Sequence, residues 1–193
     1  MNTIYEKITQ ALSTTTKRPF LIAIDGPCGS GKTTLSNYLQ ARLHCSVFHM
    51  DDFFLQPYQH TAKRLSEPGG NVDYERFQTE VLSHLSDASG VNYRKYDCHK
   101  GTLTDPISVP FRDIVLIEGA YSHHPYFKDA YDLKLFLEVS EEEQKKRIIS
   151  RNGEAGWPMF RDRWIPMERT YFSSFQIREN CDDSFICQSA DDK

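Results

Sequence analysis

The chain has 193 residues, with 23 basic and 27 acidic side chains, a formal charge of −4 and 39% hydrophobic residues. A chain of this length suits one globular domain that buries about 70% of its unfolded surface without disulfide or metal staples. The acidic balance excludes the clustered Lys and Arg surface from which nucleic-acid binders draw affinity, and no run approaches the ~20 apolar residues of a membrane span.

The first twenty residues lack the basic start and apolar middle of a signal peptide, so a cytoplasmic protein is expected. Cys28, Cys45, Cys98, Cys181 and Cys187 are odd in number and form no C-x-x-C pair, which predicts reduced thiols rather than a disulfide framework or a zinc site. Ile4, Ile8 and Leu12 recur every four residues and predict an amphipathic first helix. Residues 20–24 are a short apolar run between Pro19 and Gly26 and read as a buried parallel strand. After the glycine-rich turn 26–31, residues 33–43 place Leu35, Leu39 and Leu43 on one helical face, and residues 46–50 read as a second strand. Strand, glycine turn, helix and strand make a βαβ unit.

From residue 51 to about 70 the sequence turns polar, with aromatics and prolines and no period, as long functional loops do. Residues 74–85 carry Phe77, Val81 and Leu85 in helical register. Residues 114–117 (IVLI) and 133–139 read as further buried strands, the second running into the charged helix SEEEQKKRIISR. A last helix is expected near 167–177, and residues 184–187 form a candidate edge strand. Five strands alternating with helices predict an α/β sandwich with a mostly parallel sheet, and residues 1–193 read as a single domain.

Gly26-Pro27-Cys28-Gly29-Ser30-Gly31-Lys32-Thr33 matches G-x-x-x-x-G-K-[ST] between a predicted strand and a predicted helix. Glycines let such a backbone curl with its N–H groups inward, beside a helix N-terminus whose partial positive charge stabilises phosphate oxygens. In that geometry Lys32 bridges the β- and γ-phosphates, Thr33 ligates Mg²⁺ through its hydroxyl and Thr34 reaches the α-phosphate. Glu118, at the end of IVLIE, is the second candidate Mg²⁺ ligand, and Asp25 reads as a strand-end carboxylate that accepts backbone N–H groups. The expected fold is a P-loop NTPase three-layer sandwich with a five-stranded, mostly parallel sheet, using ATP and Mg²⁺.

Phosphoryl transfer needs a base near the γ-phosphate and a pocket that holds a hydroxyl in line. Ligands of open α/β sheets bind beyond the carboxyl ends of the strands, which brings Asp51 and Asp52 beside the phosphate loop. Asp51 is the candidate base and Asp52 a candidate substrate contact.

These residues make the chain similar to the uridine kinase and phosphoribulokinase-like group of P-loop metabolite kinases. Asp51-Asp52-Phe53-Phe54 resembles the group's D-S-F-Y element, Asn71-Val72-Asp73 its A-F-D, and Tyr96-Asp97 its Y-D-F. Ile117-Glu118-Gly119 resembles F-E-G, and Leu133-Lys134-Leu135-Phe136 resembles D-L-K-I-F. The resemblance implies the base role for Asp51 and an acceptor pocket that includes Phe54, Asp73 and Tyr96. It implies phosphate contacts from Arg147 and Arg151, which match the first and last arginines of R-R-x-x-R, and a lid around 147–164 in which Arg161 and Arg163 are further candidates.

The chain departs from the group at Phe54, where a tyrosine is usual, at Cys98, where a phenylalanine is usual, and at Gly101, where a histidine is expected. Tyr121-Ser122-His123-His124-Pro125, after Glu118, is a further candidate lining of the acceptor pocket, although His123 and His124, like His99, read as loop residues. The function the resemblance implies is ATP-dependent phosphorylation of a hydroxyl on a small metabolite, most like a uridine kinase, with homo-oligomerisation left open. Another small alcohol such as pantothenate or a sugar is the alternative acceptor. A nucleotide-binding switch is the alternative from a different class, although the sequence has no N-K-x-D guanine-reading element.

Overall fold

Alternate residues of a strand point to opposite faces, and the strand Phe20–Asp25 is buried along its whole length, so both of its faces must be covered. The computed structural model describes residues 1–127 and 129–186. The regular elements begin with α1 (Asn2–Ser13), β1 (Phe20–Asp25), α2 (Lys32–Leu43), β2 (Ser46–His49), α3 (Ala62–Ser66) and α4 (Tyr74–Glu80). Four short strands follow, β3 (Val91–Tyr93), β4 (Tyr96–Asp97), β5 (Thr102–Leu103) and β6 (Ile107–Val109). The chain continues through β7 (Ile114–Glu118), β8 (Leu133–Glu138), α5 (Glu141–Asn152), α6 (Trp157–Met159), α7 (Ile165–Phe175) and β9 (Asp183–Ile186).

The main sheet has the order β2-β7-β1-β8-β9, and every neighbouring pair is parallel. The sheet is thus wholly rather than mostly parallel. On one face Ile22, Ile24, Leu116 and Leu135 pack with Ile4 and Ile8 of α1 and Leu35 and Leu39 of α2. On the other, Leu21, Phe48, Val115, Ile117 and Phe136 pack with Phe77 of α4, Phe127 and Tyr171 of α7. Helix, sheet and helix layers make the expected three-layer P-loop NTPase sandwich. Its edge strand ends at Ile186; Cys187, the last residue of the predicted edge strand, lies outside the described residues.

Two stretches differ from their sequence reading. Residues 51–70 hold short helical turns and α3 instead of an aperiodic loop. The helix expected over 74–85 stops at Glu80 and continues as a 3₁₀ turn over Leu82–His84, yet Phe77, Val81 and Leu85 are all buried as their register predicts. Helix α4 starts cleanly because the Asp73 side chain accepts from the Arg76 N–H. Helix α5 starts on Ser140, with Glu141, Glu142 and Glu143 in its first turn, where negative charge complements the helix dipole. After α5 the chain turns over residues 153–156 and is then helical through α6 and a π-turn over Phe160–Trp164 into α7, forming an arm over the carboxyl end of the sheet. Among the described residues no helix is long and apolar enough to cross a membrane.

Candidate active site

Strand β1 ends in Asp25, which is fully buried and accepts four hydrogen bonds. Its Oδ1 takes the N–H groups of Gly26 (2.7 Å) and Tyr121 (3.2 Å). Its Oδ2 takes the His123 N–H (2.9 Å) and the Tyr171 hydroxyl (2.8 Å). One carboxylate therefore ties the entry of the phosphate loop to the turn after β7 and to α7, the backbone-bonding role expected of a strand-end acid. Gly26 has φ +141°, and a Cβ there would stand 2.2 Å from the Leu137 carbonyl oxygen, so only glycine lets the loop leave β1 against β8.

The loop then wraps the start of α2. Lys32 Nζ donates to the carbonyls of Gly26 (2.6 Å) and Pro27 (3.0 Å), which holds the ammonium across the loop. Thr33 Oγ1 donates to Glu118 Oε1 (3.2 Å) from the end of β7, and His49 Nδ1 meets the same oxygen at 2.5 Å from the end of β2. The Glu118 hydrogen bond holds the His49 pKa above the usual imidazole value against the opposing effect of burial. The Thr33 hydroxyl and the Glu118 carboxylate thus converge as two hard oxygen donors, a set that suits Mg²⁺ sharing its other positions with water and phosphate oxygens. Among the described residues no group of three or more His, Cys, Asp or Glu side chains is arranged to hold a metal by itself.

These groups face a cleft of about 850 Å³. Cys28, Gly29, Gly31, Lys32, Thr33 and Thr34 form one wall, while Asp51, Phe54, Asn71, Tyr96 and Tyr121 form the other. Arg147, Arg151, Arg163 and Trp164 close the side under the helical arm. Asp51 opens onto the cleft but is crowded by protein, and desolvation raises its pKa, with Glu118 and Asp52 adding to the rise while Lys32 and Arg151 oppose it. Arg147 reaches the phosphate loop, donating to the carbonyls of Gly29 (3.1 Å) and Ser30 (3.2 Å) while its Nε holds Glu143 (2.7 Å). Arg151 lies over the Phe160 ring and Arg163 over Trp164. Trp164 in turn faces Phe54, with ring centroids 6.5 Å apart.

Not every residue singled out from the sequence reaches this wall. Gly26, Pro27 and Ser30 lie behind it and shape the loop. Asp52 turns away, accepting from the Tyr93 hydroxyl (2.7 Å) and pairing with Lys95 (3.2 Å). Asp73 is buried as the cap of α4, where it takes the Arg76 N–H (3.0 Å) and Gln59 Nε2 (3.0 Å). Arg161 pairs with its neighbour Asp162 outside the cleft.

The sequence reading gave no site role to His49 and Glu168, named Asn71 only within the A-F-D-like element, and placed Tyr121 in a candidate lining segment of the acceptor pocket. His49 sits two residues before Asp51, so its place at the carboxyl end of β2 was the available signal. Tyr121 follows the F-E-G-like element and is held at φ +74°, a conformation costly for a bulky residue and common at functional sites. Glu168 carries no motif, yet its Oε2 accepts the Cys28 N–H at 3.0 Å inside the phosphate loop. Burial raises the Glu168 pKa, and burial together with Glu168 pushes the Cys28 thiol up to about 12, so that thiol is inert.

A profile of the KAP family P-loop domain matches residues 1–174. The chain belongs to the KAP family of P-loop domains. Its relatives place this P-loop domain among the P-loop kinases. A uridine kinase of Ureaplasma parvum is 30% identical over 71% of this chain and 70% of its own length. The nicotinamide riboside kinase 2 of Mus musculus is 35% identical over 68% of this chain and 67% of its own. The uridine kinase-like protein 5 of Arabidopsis thaliana is 27% identical over 70% of this chain, but the matched region spans only 31% of that longer protein. In fold the P-loop domain is similar to a possible uridine kinase from Bacillus stearothermophilus, with a TM-score of 0.69 at 21% identity over 96% of this chain and 100% of that one.

Proposed function

We propose that this P-loop domain is a small-molecule kinase that transfers the γ-phosphoryl group of ATP to a hydroxyl of a small metabolite, with a nucleoside as the acceptor class. The observation that carries the reading is a single cleft with the phosphate loop, Lys32 and Thr33 on one wall and the carboxylate of Asp51 on the other. The inward N–H groups of the loop and the Lys32 ammonium bind the phosphate chain, and Arg147 and Arg151 neutralise charge spread over the transferring group. Thr33 and Glu118 hold Mg²⁺, which when bound neutralises phosphate oxygens. Asp51 accepts the proton of the acceptor hydroxyl as its oxygen bonds to the γ-phosphorus and the bond to the ADP oxygen breaks. A raised carboxylate pKa suits that task, since a general base works best when its pKa approaches the operating pH.

The arm over 147–164 is read as the lid of this cleft, because it contributes Arg147, Arg151, Phe160 and Trp164 to the wall. The nucleoside class draws support from the relatives named uridine kinase and nicotinamide riboside kinase, and from the Phe54–Trp164 pair, which offers aromatic faces to a planar ring. The test is ADP release with ATP and Mg²⁺ across uridine, cytidine, nicotinamide riboside, pantothenate and sugar alcohols, with Asp51→Asn as the blank. Stimulation by a nucleoside supports the whole reading. Stimulation by pantothenate or a sugar alcohol alone keeps the kinase and overturns the nucleoside, and no stimulation by any of them overturns the kinase.

A further inference from the structure

Asn71 combines a backbone held from several sides with a buried side chain whose hydrogen bonding the protein leaves incomplete. The Arg64 guanidinium takes the carbonyls on both sides of it, Gly70 through Nε (3.0 Å) and Val72 through Nη2 (2.8 Å), and is itself fixed on Glu75 (2.6 Å). The Asn71 carbonyl accepts the Leu55 N–H (3.3 Å), and Val72 bridges to Phe54. Gly70 packs so closely that a Cβ there would stand 2.0 Å from the Arg64 carbonyl oxygen. The turn is therefore built for one conformation, and it presents Asn71 to the cleft wall. There Asn71 is 7% exposed; the Tyr121 hydroxyl is its polar neighbour on the same cleft, yet neither its amide nitrogen nor its amide oxygen completes a well-formed hydrogen bond within the protein.

A buried amide without a well-formed hydrogen bond is costly, and a rigid turn that maintains one beside a cavity is arranged for a ligand to complete it. Two residues on, Asp73 has spent its carboxylate on the cap of α4 and on Gln59 and does not face the cleft. The polar group that this segment offers to an acceptor is thus a neutral amide rather than a carboxylate.

We propose that Asn71 is a specificity-determining residue for the acceptor, and that it takes a neutral group offering both a donor and an acceptor, such as a hydroxyl or a carboxamide edge. The assignment rests on the kinase reading above. The amide donates through Nδ2 and accepts through Oδ1, so one ligand group of that kind satisfies both atoms. An aspartate in its place keeps the shape, loses the donor and adds a charge.

The test is steady-state kinetics of wild type, Asn71→Ala and Asn71→Asp with ATP and whichever of uridine and nicotinamide riboside the wild type turns over faster. The expected result is a rise of about tenfold or more in the acceptor KM for both variants, with kcat within about threefold and the KM for ATP unchanged. Asn71→Asp is nearly isosteric and carries the test if Asn71→Ala fails to fold. An acceptor KM within about twofold of wild type in a folded variant overturns the assignment while leaving the kinase intact. So does a parallel rise in both KM values with a lowered melting temperature, the mark of a merely structural role. Absence of acceptor-dependent turnover in the wild type, with ATP binding retained, overturns the kinase reading and this assignment with it.

Discussion

Asp51 and Glu168 are both carboxylates crowded by protein, both raised in pKa by burial and both under the field of Lys32, yet their surroundings give them different work. Asp51 faces the acceptor wall of the cleft, where a raised pKa serves proton transfer. Replacing it with asparagine keeps the shape and removes the base, so kcat is expected to fall roughly 10²-fold or more. ATP affinity by calorimetric titration should stay near wild type; an unchanged kcat would remove Asp51 from the mechanism. Glu168 instead occupies the Cys28 N–H of the phosphate loop. Its folded pKa lies above its unfolded value, so the folded state holds a proton that the unfolded chain has released. The linkage sign follows: between the unfolded value of about 4.3 and the folded value, this group lowers stability as pH rises, and the full cost is present above the folded value. Glu168→Gln keeps an oxygen for the Cys28 N–H and removes the ionisation. The variant should melt higher than wild type at pH 7.5, with the gap closing as pH falls toward 4.5. A gap independent of pH would show that Glu168 does not titrate in the folded protein.

At the scale of elements, the cleft exists because β1, the turn after β7 and α7 are pinned together at Asp25. Tyr171 is the α7 member of that knot, fully buried with its hydroxyl on Asp25. Tyr171→Phe leaves the ring packing and deletes one hydrogen bond to a buried carboxylate, which is expected to cost about 1.5–3 kcal/mol in urea unfolding. A cost below about 0.5 kcal/mol would mean that the other three bonds satisfy Asp25 alone. The main elements were legible in the sequence because each buries enough surface to impose a period: α1 through Ile4 and Ile8, α2 through Leu35 and Leu39, and β1, β7 and β8 as apolar runs. Strands β3 to β6 were not, since two or three residues cannot display an alternation. The site divided in the same way. Lys32, Thr33 and Glu118 stand in motifs whose chemistry fixes their spacing, so they could be picked out in advance. Asp52 and Asp73 share motif positions with site residues, and only the packing of Lys95, Tyr93, Gln59 and Arg76 around them turns them from the cleft. Asn71 and Glu168 depend on contacts across 6 to 140 positions of chain, from Arg64 to Asn71's flanks and from Cys28 to Glu168, which no local pattern records.

Over the whole molecule, the cleft draws on α2, the turn after β2, β7, α5 and the segment leading into α7, so a ligand filling it joins parts of the chain that otherwise meet mainly through the sheet. A nucleotide that binds only the folded state stabilises it by mass action, about 2.7 kcal/mol at a hundredfold excess over Kd. For a protein of this size each kcal/mol raises Tm by roughly 2–4 °C, so saturating ATP with Mg²⁺ should raise it by roughly 5–11 °C. Lys32→Ala removes the ammonium that spans the loop and should abolish most of that shift while leaving the ligand-free Tm near wild type, because among the described residues its hydrogen bonds go to two carbonyls of the loop itself, Gly26 and Pro27. Differential scanning calorimetry of both proteins with and without the nucleotide checks this. An equal shift in wild type and variant would place the nucleotide away from the phosphate loop, and then the common wall of Lys32 and Asp51 would no longer argue for transfer between them.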